Sequence, residues 1–279
     1  MDIIKAIASE LNVRNNQVEA AVKLIDEGCT IPFISRYRKE ATGALNDEQL
    51  RNLDERLKYL RNLEDKKAQV IASIAEQGLL TDELKNQIEK ADTMVAVEDL
   101  YRPYRPKRRT RATIAKEKGL EPLANVILLQ MTGEPVVKTA EEYVSEEKDV
   151  KTPEDAVAGA KDIIAESISD NADYRTRIRE LTFKEGVLTS AAKDAEAKTV
   201  YEMYYNFSEP VAKMAGHRIL AVNRGENEKI LTVKIEAPVD KILSYLEKQI
   251  IVRDNQYTTG IIKEAIEDSY ERLIAPSIE

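Results

Sequence analysis

"NDEQLRNLDERLKYLRNLEDKKAQVIASIAEQG", residues 46–78, contains neither glycine nor proline before Gly78. Asn46 followed three residues later by Gln49 has the pattern of a capping box, and Gly78 supplies a stop. A helix over 47–77 is therefore expected, about 46 Å long at about 1.5 Å per residue. Leu50, Leu53, Leu57, Leu60, Ile71 and Ile74 recur along it at alternating spacings of three and four, while Glu64 and Lys67 fall in the middle of the same seam. Charges in the seam argue against an uninterrupted coiled coil and for a long helix crossing solvent. One such element commits a large part of the chain to helix.

The composition extends that reading to the rest. Among 279 residues, 43% are apolar and 33% charged, with ten Gly, nine Pro and no Trp. That balance buries a core and disfavours a sheet-rich sandwich or barrel. The expected fold class is mainly α: multihelical and elongated, with a helix-turn-helix-like unit, long helices and one small β-hairpin. The single cysteine, Cys29, cannot form an internal disulfide. No apolar run approaches the roughly 18 residues that span a bilayer, and the N-terminus lacks a signal-peptide pattern. A cytoplasmic location with no membrane partner is expected.

Working outward, shorter helices are expected over 2–11 and 16–27, with another starting beside Pro32 and stopping by Gly43. Thr81, Thr93, Thr152 and Asn171 read as N-caps of helices that follow them. Residues 131–152 are acidic and carry Gly133 and Pro135, which places the expected boundary there: a first domain over 1–130, a second over 131–279. A helical stretch is expected over 191–206. "HRILAVNRGENEKILTVKIE" sets two aliphatic runs either side of "NRGENE" and reads as a β-hairpin near 218–236. The closing "LIAPSIE" puts no polar tail after an apolar segment, which is expected of a piece of a longer protein.

The residues offer no catalytic constellation. His217 is the only histidine, expected at the start of a strand in a structural or surface role. Cys29 reads as a small buried hydrophobe. Neither GxxxxGK[ST] nor GxGxxG occurs, so no phosphate-cradling loop is present. The expectation is a non-enzymatic protein with no metal, cofactor or small-molecule substrate.

Positive charge is unevenly placed. The net charge is −8, yet "YRPYRPKRRTR", residues 101–111, carries six cations and no anion. Pro103 and Pro106 forbid a regular helix there. Arg102, Arg105, Lys107, Arg108, Arg109 and Arg111 could contact successive phosphates, with Tyr101 and Tyr104 stacking on unpaired bases. Alternatively these arginines pair with carboxylates of neighbouring helices and pin the connector; in a chain with fifty acids that alternative is strong. A second cluster, "FISRYRKE", brings Arg36, Arg38 and Lys39 beside Phe33 and Tyr37. It reads either as the recognition helix of a helix-turn-helix or as a packed helix with snorkelling cations, the latter favoured. Arg175, Arg177 and Arg179 read as a solvated helix face.

"TIPFISRYRKEATG" (30–43), "VEDLYRPYRPKRRTRATIAKEKGLEPLA" (97–124), "RILAVNRGENE" (218–228) and "DSYERLIAPSIE" (268–279) together resemble the N-terminal region of the Tex family of bacterial transcription accessory proteins. The resemblance implies a helical N-terminal region followed, in the family, by RNase-H-like, helix-hairpin-helix and OB-fold domains that these residues do not include. It implies transcription-related nucleic-acid association without catalysis, chiefly through the OB-fold. Binding of single-stranded RNA or DNA by these residues alone is accordingly expected to be weak, with RNA polymerase as a candidate protein partner and a purely structural scaffold as the alternative reading.

Overall fold

A computed structural model of the chain describes residues 2–106 and 108–279. The chain divides into two compact units, the first ending at Tyr104 and the second beginning at Arg105.

The first unit is helical. It runs through α1 (Ile3–Leu11), α2 (Asn15–Asp26), α3 (Ile31–Tyr37), α4 (Asp47–Glu76), α5 (Asp82–Lys90) and α6 (Met94–Tyr101). α4 begins where its capping box requires: Asn46 accepts from the Gln49 N–H at 2.8 Å and its own N–H donates to Gln49 Oε1 at 3.0 Å. Gly78 ends it at φ +70°, a left-handed conformation that costs glycine nothing. α4 does not cross solvent. Leu50, Leu53, Leu57, Leu60, Leu63, Val70 and Ile74 are buried along its whole length. Two pairs tie it to earlier helices, Arg56 with Glu10 (2.5 Å) and Arg61 with Asp26 (2.7 Å). Later on, the Met94 N–H donates to Tyr59 Oη at 3.2 Å. Lys67 is buried in the seam because its ammonium is satisfied there, donating to Glu64 Oε1 and to the Glu89 carbonyl, both at 2.9 Å. A charge in the seam thus marks a paired contact rather than an exposed segment.

The second unit contains α7 (Arg111–Glu117), α8 (Glu121–Leu129), α9 (Val136–Ala140), α10 (Pro153–Asp170) and α11 (Ala172–Glu185). Then follow β1 (Val187–Ala192), β2 (Asn206–Pro210), α12 (Gly216–Asn227), β3 (Leu231–Glu236), α13 (Val239–Ile250) and α14 (Thr259–Asp268). A π-helical stretch, Ser269–Ile274, leads into a last turn, α15 (Ala275–Ile278). α10 is the central element, with α7, α8, α9 and α14 packed on it. Gly159 permits the closest approach: a Cβ there would lie 2.4 Å from Leu120 Cδ1 and 3.3 Å from Ala115 Cβ.

Three expectations are corrected in this unit. Residues 131–152 are no boundary, because Val136, Ala140 and Val150 are buried in the same core as α8 and α10; the division comes earlier, after Tyr104. The hairpin near 218–236 is also absent. Its first run folds as α12, burying Val222 and Gly225, while the second forms β3. β3 pairs antiparallel with β1, Val187 opposite Glu236 and Ala192 opposite Leu231, in a three-stranded sheet of order β2-β1-β3. A short apolar run is ambiguous between helix and strand, and the partner that decides it lies some forty residues upstream. Nor are residues 191–206 a helix. Ser190 Oγ donates to the Tyr204 carbonyl (2.6 Å) and Tyr205 Oη to the Ala197 carbonyl (2.6 Å), while Tyr201 is buried. Those tyrosines fold the connection between β1 and β2 back on itself.

Candidate nucleic-acid interface

The basic stretch starts as the end of α6. Tyr101 Oη shares a hydrogen bond with Ser73 Oγ (2.9 Å), and Gln77 Nε2 donates to the Tyr104 carbonyl (3.0 Å). Both rings pack against the first unit's core. Tyr101 and Tyr104 are therefore anchors of the connector, not platforms for bases. Arg102 is half-buried and engaged within the protein.

Beyond the division between units the arginines turn outward. Arg105, Arg108, Arg109 and Arg111 are all exposed, and Lys107 lies outside the described residues. Arg109 donates to Glu117 Oε2 at 2.8 Å, with side chains 68% and 52% exposed, a pair worth at most about 1 kcal/mol. Thr110 caps α7 by accepting from the Thr113 N–H at 3.0 Å, which fixes where the connector becomes helix. Among the described residues Arg105 and Arg108 make no ion pair.

Arg111 is the partial exception. It lines a cleft of about 430 Å³ together with Lys118, Lys151, Asp149, Asp155 and Asp162. Lys118 is occupied within it, donating to the Asp149 carbonyl (2.7 Å) and carboxylate (3.2 Å). Burial pushes the Asp162 carboxyl above the usual range, with the Arg272 and Arg111 charges opposing that shift. Hydrogen bonding from Arg272 instead holds the Asp268 carboxyl below it, helped by the charges of Arg272 and Arg111. The cleft's charges largely answer one another.

The second cluster sits on α3. Pro32 occupies the first turn, Ile34 is buried against the first unit's core, and the remaining face is open. Phe33 and Tyr37, one helical turn apart, are 37% and 67% exposed, with ring centroids 5.4 Å apart and planes inclined at 44°. The Arg38 guanidinium stands over the Phe33 ring, 5.4 Å from its centroid. Arg36, Arg38 and Lys39 are exposed and make no ion pair among the described residues. The turn that follows is fixed: Thr42 Oγ1 donates to the Arg38 and Lys39 carbonyls (both 3.3 Å), and Gln17 Nε2 donates to the Gly43 carbonyl (2.8 Å). The i,i+4 spacing of Phe33 and Tyr37 was a local signal that the two rings share a face, though not of which way that face turns.

The third group is not a solvated face. Arg175 is buried, donating to the Ser169 carbonyl (3.4 Å) and Ser277 Oγ (2.9 Å), while Arg177 is exposed and pairs with Glu180 (3.2 Å). His217 lies exposed in the first turn of α12, not in a strand, and Cys29 is half-buried against the first unit's core. Among the described residues no group of three His, Cys, Asp or Glu side chains could hold a metal ion, and no helix is long and apolar enough to cross a membrane.

Residues 1–75 match the model of the Tex-like protein N-terminal domain, and residues 132–268 match that of the Tex central region. The chain is 51% identical over 276 residues to YdcI of Bacillus subtilis, an alignment covering 98% of this chain and 38% of that protein. It is 41% identical over 268 residues to the transcriptional accessory protein Tex of Neisseria gonorrhoeae, covering 93% and 35% respectively. Over 244 residues it is 30% identical to human S1 RNA-binding domain-containing protein 1, covering 84% and 24%. The chain thus spans well under half the length of these relatives.

Proposed function

The chain belongs to the Tex family, and from that premise we propose that it is a nucleic-acid-associated, non-enzymatic part of a cytoplasmic transcription accessory protein. In this reading Arg105, Arg108 and Arg109 meet the phosphates of single-stranded RNA or DNA. The observation that carries it is the outward placement of Arg105 and Arg108 without carboxylate partners, in a chain of net charge −8. An acidic protein keeps such cations unpaired at a cost in long-range self-attraction it could otherwise use, and a polyanion is their natural complement. Arg111, whose neighbours include Asp162 and Asp268, contributes less. No cofactor or small-molecule substrate is part of this function.

A second reading is a docking scaffold for a protein such as RNA polymerase. It is favoured by one feature of the second unit. Gln130 is buried, donating to the Ile250 carbonyl (2.8 Å) and accepting from the Arg253 N–H (3.0 Å), which brings Leu129, Met131 and Val252 to one region, all largely exposed.

The test is retardation of a single-stranded oligonucleotide by the chain at low salt. Binding that disappears in R105E/R108E/R109E, with an unchanged melting curve, supports phosphate contact. A marked fall in melting temperature would instead mean that the arginines pin the connector, and no retardation by the unaltered chain would refute the reading.

A further inference from the structure

Exposed apolar side chains scattered singly are ordinary, so an open ring needs a second observation before it means anything. On α3 there are several. Two aromatic rings lie on one face within 5.4 Å of each other, and a third planar group, the Arg38 guanidinium, sits over one of them. Arg36 and Lys39, near the rings in sequence, are exposed and without ion pairs among the described residues; the adjacent acid, Glu40, is exposed as well. Ile34 is buried and holds the helix to the core, and the bonds from Thr42 and Gln17 hold the turn after it, so the rings are presented from a fixed base.

We propose that Phe33 and Tyr37 form a stacking platform for unpaired bases, with Arg36, Arg38 and Lys39 taking the adjoining phosphates. The inference rests on the reading that the chain binds nucleic acid, and it adds the site and the kind of strand. Aromatic faces bind any base that is out of its stack, whereas the bases of a duplex are already stacked and present only their edges. Reading those edges from the major groove calls for polar side chains on the leading turn of a helix. Here that turn is Ile31-Pro32-Phe33, which has no side-chain donor or acceptor. The net +3 of the three cations, set in an acidic chain, complements a phosphate backbone locally and limits binding to a short strand. Tyr37, the more open ring, is the principal contact; Phe33 is partly covered by Arg38.

Fluorescence anisotropy on the whole chain at low salt tests this, with three labelled probes: a 12-nucleotide oligouridylate, an abasic phosphodiester chain of equal length, and a 12-base-pair duplex. The expected order of affinity is oligouridylate above both others. Tyr37→Ala should weaken oligouridylate binding about ten-fold or more while leaving affinity for the abasic chain unchanged; Tyr37→Phe, which keeps the ring, should bind as the unaltered protein does. Tyr37 is mostly solvent-exposed, so the variants are expected to remain folded, with circular dichroism as the control. Oligouridylate binding that is indifferent to Tyr37→Ala, or no stronger than abasic binding, overturns the platform and leaves the phosphate-binding function standing. Binding of polyglutamate that Tyr37→Ala abolishes, with oligouridylate unbound, overturns it in favour of an acidic protein partner. Failure of every probe to bind removes both the platform and the function on which it rests.

Discussion

Asp162 and Asp268 both lie against Arg272, yet their carboxyl groups are shifted in opposite directions. Burial dominates at Asp162, whose oxygen is 3.2 Å from the guanidinium; direct hydrogen bonding from Arg272 dominates at Asp268, where Nε donates at 2.8 Å. The depressed Asp268 pKa stabilises the fold fully above the unfolded value, and that stabilisation is lost as pH falls through the folded one. Asp268→Asn should therefore lower stability at pH 7 by about 1 kcal/mol, discounted for its partial exposure, with the difference from the unaltered protein vanishing in acid. The raised Asp162 pKa works the other way: folding favours the protonated form, so the penalty is present at pH 7 and relieved on acidification. Asp162→Asn should leave the melting temperature at pH 7 unchanged or higher. Thermal melts at pH 7 and pH 3 check both signs. At this scale, single residues were read well where their partners are local, as at the caps Asn46, Thr81, Thr93, Thr152 and Asn171, each of which accepts from the N–H three residues on. Lys67 and Arg175 were misread because their partners lie far along the chain: the Glu89 carbonyl 22 residues away, and Ser277 Oγ 102 away.

Among the elements, the helices of the first unit other than α3 were legible to within a residue or so, since capping, Gly stops and a 3–4 apolar rhythm are all local signals; α3 ends at Tyr37, six residues before the Gly43 stop that was expected to close it. α7 was hidden by the prolines before it, and the sheet by its topology. β1 lies in the middle of the sheet, between two strands that both follow it in sequence, and nothing local in "GVLTSAA" names those partners. The packing of α12 on β3 is a place to test the corrected topology. Gly225 brings the helix so close that an added Cβ would lie 2.7 Å from Leu231 Cδ1 and 3.1 Å from the Tyr201 ring. Gly225→Ala should therefore destabilise by about 1–3 kcal/mol as an overpacked site. Leu231→Ala, emptying the same contact, should cost about 2–5 kcal/mol. In the hairpin first expected, position 225 would sit in an exposed loop and tolerate alanine; urea denaturation of the two variants separates these outcomes.

For the whole molecule, most buried apolar side chains fall into two separate clusters, one drawn from residues 7–97 and the other from 112–274, with Leu188, Tyr201, Val222 and Leu231 buried outside both. In sequence, the exposed Arg108 and Arg109 fall between the last buried residue of the first cluster and the first of the second. Brief trypsin digestion should cut there first and leave two fragments that keep helical circular dichroism; early cuts inside α4 or α10 would contradict the division. The charge pattern was visible in the sequence as a basic stretch in an acidic chain, but its orientation was not. Local residues could not reveal that Tyr101 and Tyr104 turn inward while Phe33 and Tyr37 turn outward, because that depends on which helix covers which. The central claim, phosphate contact by the unpaired arginines, is tested most directly by the salt dependence of single-strand affinity. The two outward arginines, at about −0.7 each on a single strand, predict a log–log slope of about −1.4 or steeper, flattened by about 1.4 in R105E/R108E. A slope identical in the variant, or no binding by the unaltered chain at low salt, would contradict it.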